Sequence, residues 1–308
     1  MASTVMVHVA APPEREAAVR PHVESALAVF GAVERACTRF DPRSPLMRAN
    51  ASPTEWHHVP QLCFDALAEA HRAYELTDGR FDPRVHDDLV RLGYARSMHS
   101  GVPDMVRDTP ATHRRAPLPA WRPQFEAATS LVRLGDRPVD LGGIGKGLTV
   151  RWAARILRQL DVGFLVEAGG DCYASGSLPD EGPWRIAIED PSGDGSASDL
   201  PIAVLGVADH AVATSSVRVR RWRLGGRVVH HLIDPCTGAP GGEGLQAVTV
   251  THRDPAMAEV WSKILFLAGS DGIAAAADEG GLAALWVSDD GAVGCSAAMA
   301  GFVVWLAR

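Results

Sequence analysis

Within Val139-Asp140-Leu141-Gly142-Gly143-Ile144-Gly145-Lys146-Gly147, four glycines and one lysine fall in six residues. An apolar lead-in ending in Asp140 precedes them, and after them Leu148, Trp152, Ile156 and Leu160 recur four apart. That spacing predicts a helix entered through a glycine-rich turn. Glycines let a ligand approach the backbone closely, and the N–H groups that open a helix attract anions. Lys146 adds a full positive charge at the same place. The same residues also suit a glycine turn carrying a solvated lysine. Two familiar phosphate loops are excluded. The P-loop requires glycine five residues before the glycine of its Gly-Lys pair and Ser or Thr after the lysine, but those positions hold Asp140 and Gly147. The dinucleotide fingerprint requires glycine three residues after its second glycine, and Leu148 stands there relative to Gly145.

Bulk properties narrow the function classes. The 308 residues suffice for one large domain or two lobes. Net charge is −7, and the basic groups His113-Arg114-Arg115 and Arg218, Arg220, Arg221, Arg223 form no extended basic face, so nucleic acid is not the expected partner. No apolar run approaches the ~18 residues of a membrane span. The N-terminal residues Met1 to Val9 lack a basic start and a long apolar core, and read as a first strand. Five cysteines (Cys37, Cys63, Cys172, Cys236, Cys295) show no paired spacing, which predicts reduced thiols and a cytoplasmic location.

Along the chain, Val5, Val7 and Val9 alternate as in a strand, and Glu14 to Cys37 carries an amphipathic helical pattern. Phe40 to Asn50 reads as a loop by its prolines, and Gln61 to Leu76 as a second helix. Thr77-Asp78-Gly79-Arg80-Phe81-Asp82-Pro83 is an Asp-Gly turn or a plain helix stop. A short helix fits Val85 to Leu92, and residues 96–124, rich in Pro, Arg and His, read as a surface excursion. Strands are expected at Val162–Val166, Trp184–Ile188, Ile202–Val207, Ala211–Thr214, Arg218–Leu224, Val228–Ile233, Ala247–Thr251, Leu282–Val287 and Phe302–Leu306. Pro191 to Ser198 reads as a hairpin loop, and helices are expected at Pro255–Ala268 and Ile273–Ala277. Long helices mixed with mainly antiparallel strands, without regular βαβ alternation, indicate an α+β fold.

Seven segments, taken in order, resemble one family, the ApbE flavin transferases. They are Phe40 to Asn50 with Ser44, Asp78 to Pro83, Asp140 to Gly147, Ala168-Gly169-Gly170-Asp171, Ala213 to Ser216, His231-Leu232-Ile233-Asp234-Pro235-Cys236-Thr237-Gly238, and the helix around Glu259. The resemblance runs from about residue 4 to 270. It implies a single two-lobed α+β domain over residues 1–308, with mainly antiparallel sheets, flanking helices and an FAD cleft between the lobes. It further implies that, with Mg²⁺, FMN is transferred from FAD to a Thr or Ser of a partner protein and AMP leaves. FAD contacts are implied at Gly79, Arg80, Phe81, Asp140, Lys146 and the backbone near Ile233, and a catalytic histidine at His231. The residue types suit that chemistry. Glycine N–H groups and Lys146 match the charge of a pyrophosphate, and a hydroxyl nucleophile profits from a general base. His231 also reads as an ordinary strand histidine beside His230.

The sequence departs from the family at the metal. Members carry Asp and Thr four residues apart as Mg²⁺ ligands, together with a carbonyl at the position of Gly143; here the pair reads Glu259 and Lys263. A second departure is Ser216, where glycine is usual. A carboxylate ligates metal, but a protonated lysine has no lone pair to offer. Lys263 is therefore expected either to take the metal's place or to form an outward-facing helix pair with Glu259 worth roughly 0.2–0.5 kcal/mol. Two further readings follow from that departure: an FAD-binding protein of the same fold without transfer activity, and an FAD pyrophosphatase yielding FMN and AMP.

Overall fold

A computed structural model describes residues 4–96, 104–105, 118–178, 182–193 and 200–307. Its seven α-helices among the described residues are α1 (Glu16–Cys37), α2 (Pro45–Ala51), α3 (Gln61–Leu76), α4 (His86–Arg91), α5 (Gly145–Leu157), α6 (Pro255–Leu267) and α7 (Gly269–Glu279). None is long and apolar enough to cross a membrane. Strands pair almost wholly antiparallel, so the expected α+β class is what forms. The chain divides into two compact units. One holds Gly31–Gly145 and Val219–Gly241; the other holds Ser3–Phe30, Lys146–Arg218 and Gly242–Arg308.

The second unit is built on a seven-stranded antiparallel sheet. Its spatial order is Val5–Val9, Phe164–Ala168, Asp171–Ser175, His210–Ser216, Leu245–His252, Ala283–Ser288 and Val293–Cys295. The strand Leu245–His252 is buried at nearly every residue, as a strand covered on both faces must be. Helix α6 lies against it and against His210–Ser216. A smaller sheet orders Val303–Leu306, Ala203–Val207 and Trp184–Ile188. Its inner residues Trp184, Ile188 and Leu205 join Leu285 and Met299 in one apolar cluster.

Helix α6 starts where the sequence says it should. Pro255 occupies the first turn, where its missing N–H costs nothing, and the Asp254 side chain accepts from the Ala256 amide. Arg151 of α5 donates to the other Asp254 oxygen at 2.9 Å, tying the middle of α5 to the start of α6. Their approach is close. A Cβ added at Gly147 would lie 2.3 Å from the Pro255 carbonyl oxygen, so only glycine fits there.

Among the described residues the first unit carries three small sheets: Arg227–His230 beside Arg221–Leu224 and Asp104–Met105, Ile233–Asp234 beside Ala239–Pro240, and His57–His58 beside Leu131–Arg133 and Gln124–Glu126. Leu89, Leu92, Tyr94, Trp222, Leu224, Val229 and Ile233 form one of its cores. The buried Trp222 indole donates to the Leu92 carbonyl at 2.7 Å, the partner a buried indole needs.

Several expectations are corrected. The Phe40 to Asn50 stretch is not all loop. Pro45 stands at the first turn of α2, and Ser44 caps it by accepting from the Met47 amide, so the proline starts a helix there. Helix α5 begins at Gly145, which puts Lys146 and Gly147 inside its first turn. Its buried residues are Gly147, Leu148, Thr149, Val150, Ala153, Ala154 and Leu157, with Trp152 and Ile156 only half-buried, because residues four apart drift 40° around a helix at each step. The strand expected over Val228–Ile233 stops at His230, where the Leu232 amide turns to the His230 ring and the His231 amide to the Arg220 carbonyl. Within residues 96–124, most of the expected excursion lies outside the described residues. Trp121 at its end is buried, with its indole donating to the Leu134 carbonyl and its amide to the Tyr74 hydroxyl. Residues 194–198 of the expected hairpin loop also lie outside the described residues.

Gly147→Ala should force backbone against backbone at the α5–α6 contact. We expect a loss of roughly 1–3 kcal/mol of stability, read from chemical denaturation. An unchanged midpoint would show that the two helix starts separate easily.

Candidate functional site

In the first unit the motifs found in sequence are joined by backbone bonds. The Asp140 amide donates to the Pro83 carbonyl at 2.7 Å, linking the glycine turn to the Asp78–Pro83 segment. The Asn50 side chain brackets Val139, donating to its carbonyl at 2.8 Å and accepting from its amide at 2.9 Å. Asp140 is buried. One of its carboxylate oxygens meets Arg39 Nε at 2.8 Å and the other accepts from the Gly142 amide. The Arg39 guanidinium packs against the rings of both Phe40 and Tyr94, 4.3 Å from each centroid. Its role was not legible in the sequence, since nothing in the spacing of Arg39 and Asp140 links them.

Gly79 has φ +73° and donates to the Tyr74 carbonyl, ending α3 in the left-handed conformation that glycine allows. Arg80 is exposed, whereas Phe81 is buried with its amide donating to the Thr77 hydroxyl. Gly143 lies in the turn that leads into α5. Ile233 is a core residue whose backbone pairs with Pro240. After it, the Asp234 carboxylate accepts from the Cys236 amide and the Thr237 hydroxyl, shaping the turn to Gly238. His231 is half-buried, with Nδ1 3.3 Å from the Arg220 carbonyl. A carbonyl only accepts, so this contact puts the proton on Nδ1 and makes Nε2 the acceptor nitrogen.

In the second unit Lys146, Glu259 and Lys263 come together, and Asp171 joins them. Glu259 is 1 % exposed on the nearly wholly buried α6, of which Glu259 and Lys263 are the only charged residues. One carboxylate oxygen accepts from the Gly147 amide at 2.8 Å. The other stands 3.3 Å from the Lys263 ammonium and 3.6 Å from that of Lys146. Burial pushes the Glu259 carboxyl up, but Lys263, Lys146 and the Gly147 amide more than offset it and hold it below the usual carboxylate range. Asp171 is buried too; it accepts from the Thr214 amide at 3.0 Å and pairs with the Lys146 ammonium. Ser215 and Ser262 hydroxyls meet at 2.8 Å nearby on the strand and on α6. The outward-facing reading of the Glu259–Lys263 pair is therefore overturned, because α6 turns that face into the protein. Asp171 was read in sequence only as part of a motif; its charge partner could not be found, since the strand pairing that places it is non-local.

The ApbE family's sequence profile matches residues 1–286. The chain belongs to the ApbE family. The ApbE protein of Thermotoga maritima superposes with a TM-score of 0.77 at 25 % identity, covering 97 % of this chain and 99 % of that one. The flavin transferase ApbE from Vibrio cholerae gives 0.72 at 26 % identity, covering 98 % and 96 %. Among curated sequences, the FAD:protein FMN transferase of Salmonella typhimurium strain LT2 is 29 % identical over 271 residues, 85 % of this chain and 73 % of that protein. The ApbE fold thus accounts for the antiparallel sheets and flanking helices of both units.

Next to His231, His230 behaves differently. Burial lowers its pKa to about 4, and its Nδ1 accepts from the Leu232 amide at 3.3 Å. Unfolded, the same imidazole takes its proton near pH 6.5. The native state therefore binds fewer protons. The stability this contributes is present above pH ~6.5 and is lost as pH falls from there to ~4, roughly 3 kcal/mol in all. An NMR titration of the folded protein should find His230 neutral down to about pH 4. An ordinary midpoint would mean that the ring is solvated.

Proposed function

We propose that this ApbE protein is an FAD:protein FMN transferase that binds FAD, attaches FMN to a threonine or serine of a partner protein and releases AMP. The observation that carries the reading is a family match over residues 1–286 with the Lys146 ammonium present in the first turn of α5. The curated relative from Salmonella typhimurium bears this activity in its name. In the reaction, the acceptor hydroxyl oxygen bonds to the phosphorus on the FMN side of the diphosphate. The bond from that phosphorus to the bridging oxygen breaks, and AMP leaves with the oxygen.

The roles we assign follow the chemistry of the side chains. Lys146 meets the diphosphate, whose charge grows on the leaving phosphate. His231 takes the hydroxyl proton on Nε2, the nitrogen that its Nδ1 contact leaves as acceptor. Gly79, Arg80, Phe81, Asp140 and Ile233 contact FAD. Phe81 and Ile233, being core residues, do so through their backbone, and Asp140 does so as a carboxylate held in place by Arg39 and Gly142. The cytoplasm is the compartment we propose, on five cysteines that show no paired spacing in the sequence.

Magnesium, which the family resemblance implies, is tested by the donor set. Gly143 and Glu259 stand at ligand positions, but Lys263 stands at the remaining one with its ammonium 3.3 Å from Glu259. Among the described residues no group of three or more His, Cys, Asp or Glu side chains is arranged to hold a metal ion. A dication beside Glu259 would also face the Lys146 and Lys263 ammoniums. These residues do not fit Mg²⁺, and no step is assigned to it.

Incubation with FAD and a threonine-bearing acceptor, with and without Mg²⁺, should give a fluorescent flavinylated band. Free FMN and AMP without a band would make the protein a pyrophosphatase, and intact retained FAD would make it a carrier. His231→Asn should slow transfer by roughly 10²–10⁴-fold while leaving FAD affinity in place; an unchanged rate would remove His231 as the base.

Lys146→Ala should weaken FAD binding by roughly 1.5–3 kcal/mol, the worth of a charged hydrogen bond. Calorimetry showing undiminished affinity would place the phosphates elsewhere.

A further inference from the structure

Two ammonium groups rest on a floor of two buried carboxylates in the second unit. Glu259 and Asp171 are 1 % and 4 % exposed, while the Lys146 and Lys263 side chains keep 17 % and 18 % of their surface. The four formal charges cancel, but they are layered, with the anions beneath and the cations nearer the surface. The carboxylates are committed inward, to the Gly147 and Thr214 amides as well as to the lysines. Each ammonium has three N–H donors. Lys263 spends its donors toward Glu259, reaching a side-chain oxygen at 3.3 Å and the main-chain carbonyl at 3.4 Å. Both distances are long for a charged hydrogen bond. An anion reaching the exposed side of the layer meets positive charge first.

The geometry points to Lys263 as a direct phosphate ligand, which with Lys146 forms a two-ammonium clamp for the diphosphate of FAD in place of a divalent cation. This rests on the functional reading above and deepens it. A lysine brings one charge where Mg²⁺ brings two and organises no coordination shell, but it is covalently held and cannot be stripped. Glu259 then serves as a positioning residue. It sets the Lys263 ammonium from below, and the Gly147 amide fixes the carboxylate in turn. A lysine that served only to neutralise Glu259 would leave FAD binding indifferent to its removal, provided that the carboxylate went with it. That separates the two roles.

The experiment is calorimetric titration of the full chain with FAD, in Mg²⁺ and in a chelator, for the parent, Lys263→Met and the double variant Glu259→Gln with Lys263→Met. The parent should bind FAD equally well in both buffers. Lys263→Met should weaken binding roughly 10- to 100-fold, the equivalent of one charged hydrogen bond. The double variant, which keeps an acceptor for the Gly147 amide and removes the uncompensated charge, should stay weak. Parent affinity that collapses on chelation would overturn the clamp while leaving the functional reading intact, as would a double variant that recovers parental affinity. A parent that binds no FAD in either buffer would overturn the clamp and the functional reading together.

Discussion

A carboxylate as buried as Glu259 must receive its hydrogen bonds and its counter-charge from the protein, because water supplies neither. Here the Gly147 amide supplies the bond and two lysines supply the charge. That requirement sets much else. The amide can reach only if α5 and α6 start almost in contact. Such contact is possible only with glycine at position 147 against the Pro255 carbonyl, and Arg151 on the Asp254 cap adds a bond between the two helices. Removing one partner of a buried pair typically costs ~3–5 kcal/mol, far more than the pair adds over an apolar alternative. The network is therefore better understood as a constraint on function than as a source of stability.

The first unit solves a related problem with backbone bonds and one buried ion pair. The glycine turn there has few side chains to hold it, so its shape comes from backbone bonds made by distant residues. Asn50 takes both polar groups of Val139, and Pro83 takes the Asp140 amide. Arg39, packed against two rings, meets the Asp140 carboxylate. A turn held in this way keeps its amides at fixed positions, which is what recognition of a charged ligand requires.

Comparison of His230 and His231 shows how neighbouring residues of one type divide. The strand ends between them, so one ring is desolvated and kept neutral while the other meets a carbonyl through Nδ1. Composition says nothing of this difference, which follows from the burial of the His230 ring.

The sequence by itself determined the elements whose signals are local. Periodicity marked α3 at Gln61–Leu76 and the strand Trp184–Ile188 at their observed bounds, and Pro255 marked the start of α6. The ordered motifs were enough to place the chain in its family, because each glycine or Asx turn is fixed by a few adjacent residues. Tertiary structure alone decided the rest. Only strand pairing brings Asp171 to Lys146, only the approach of two helices explains Gly147, and only the packing of α6 shows that Glu259 and Lys263 face inward. A Glu and a Lys four apart look alike in sequence whether water or protein covers them, since the helix brings the two together in either case. Burial separates the two cases, and it is a property of everything packed around the helix.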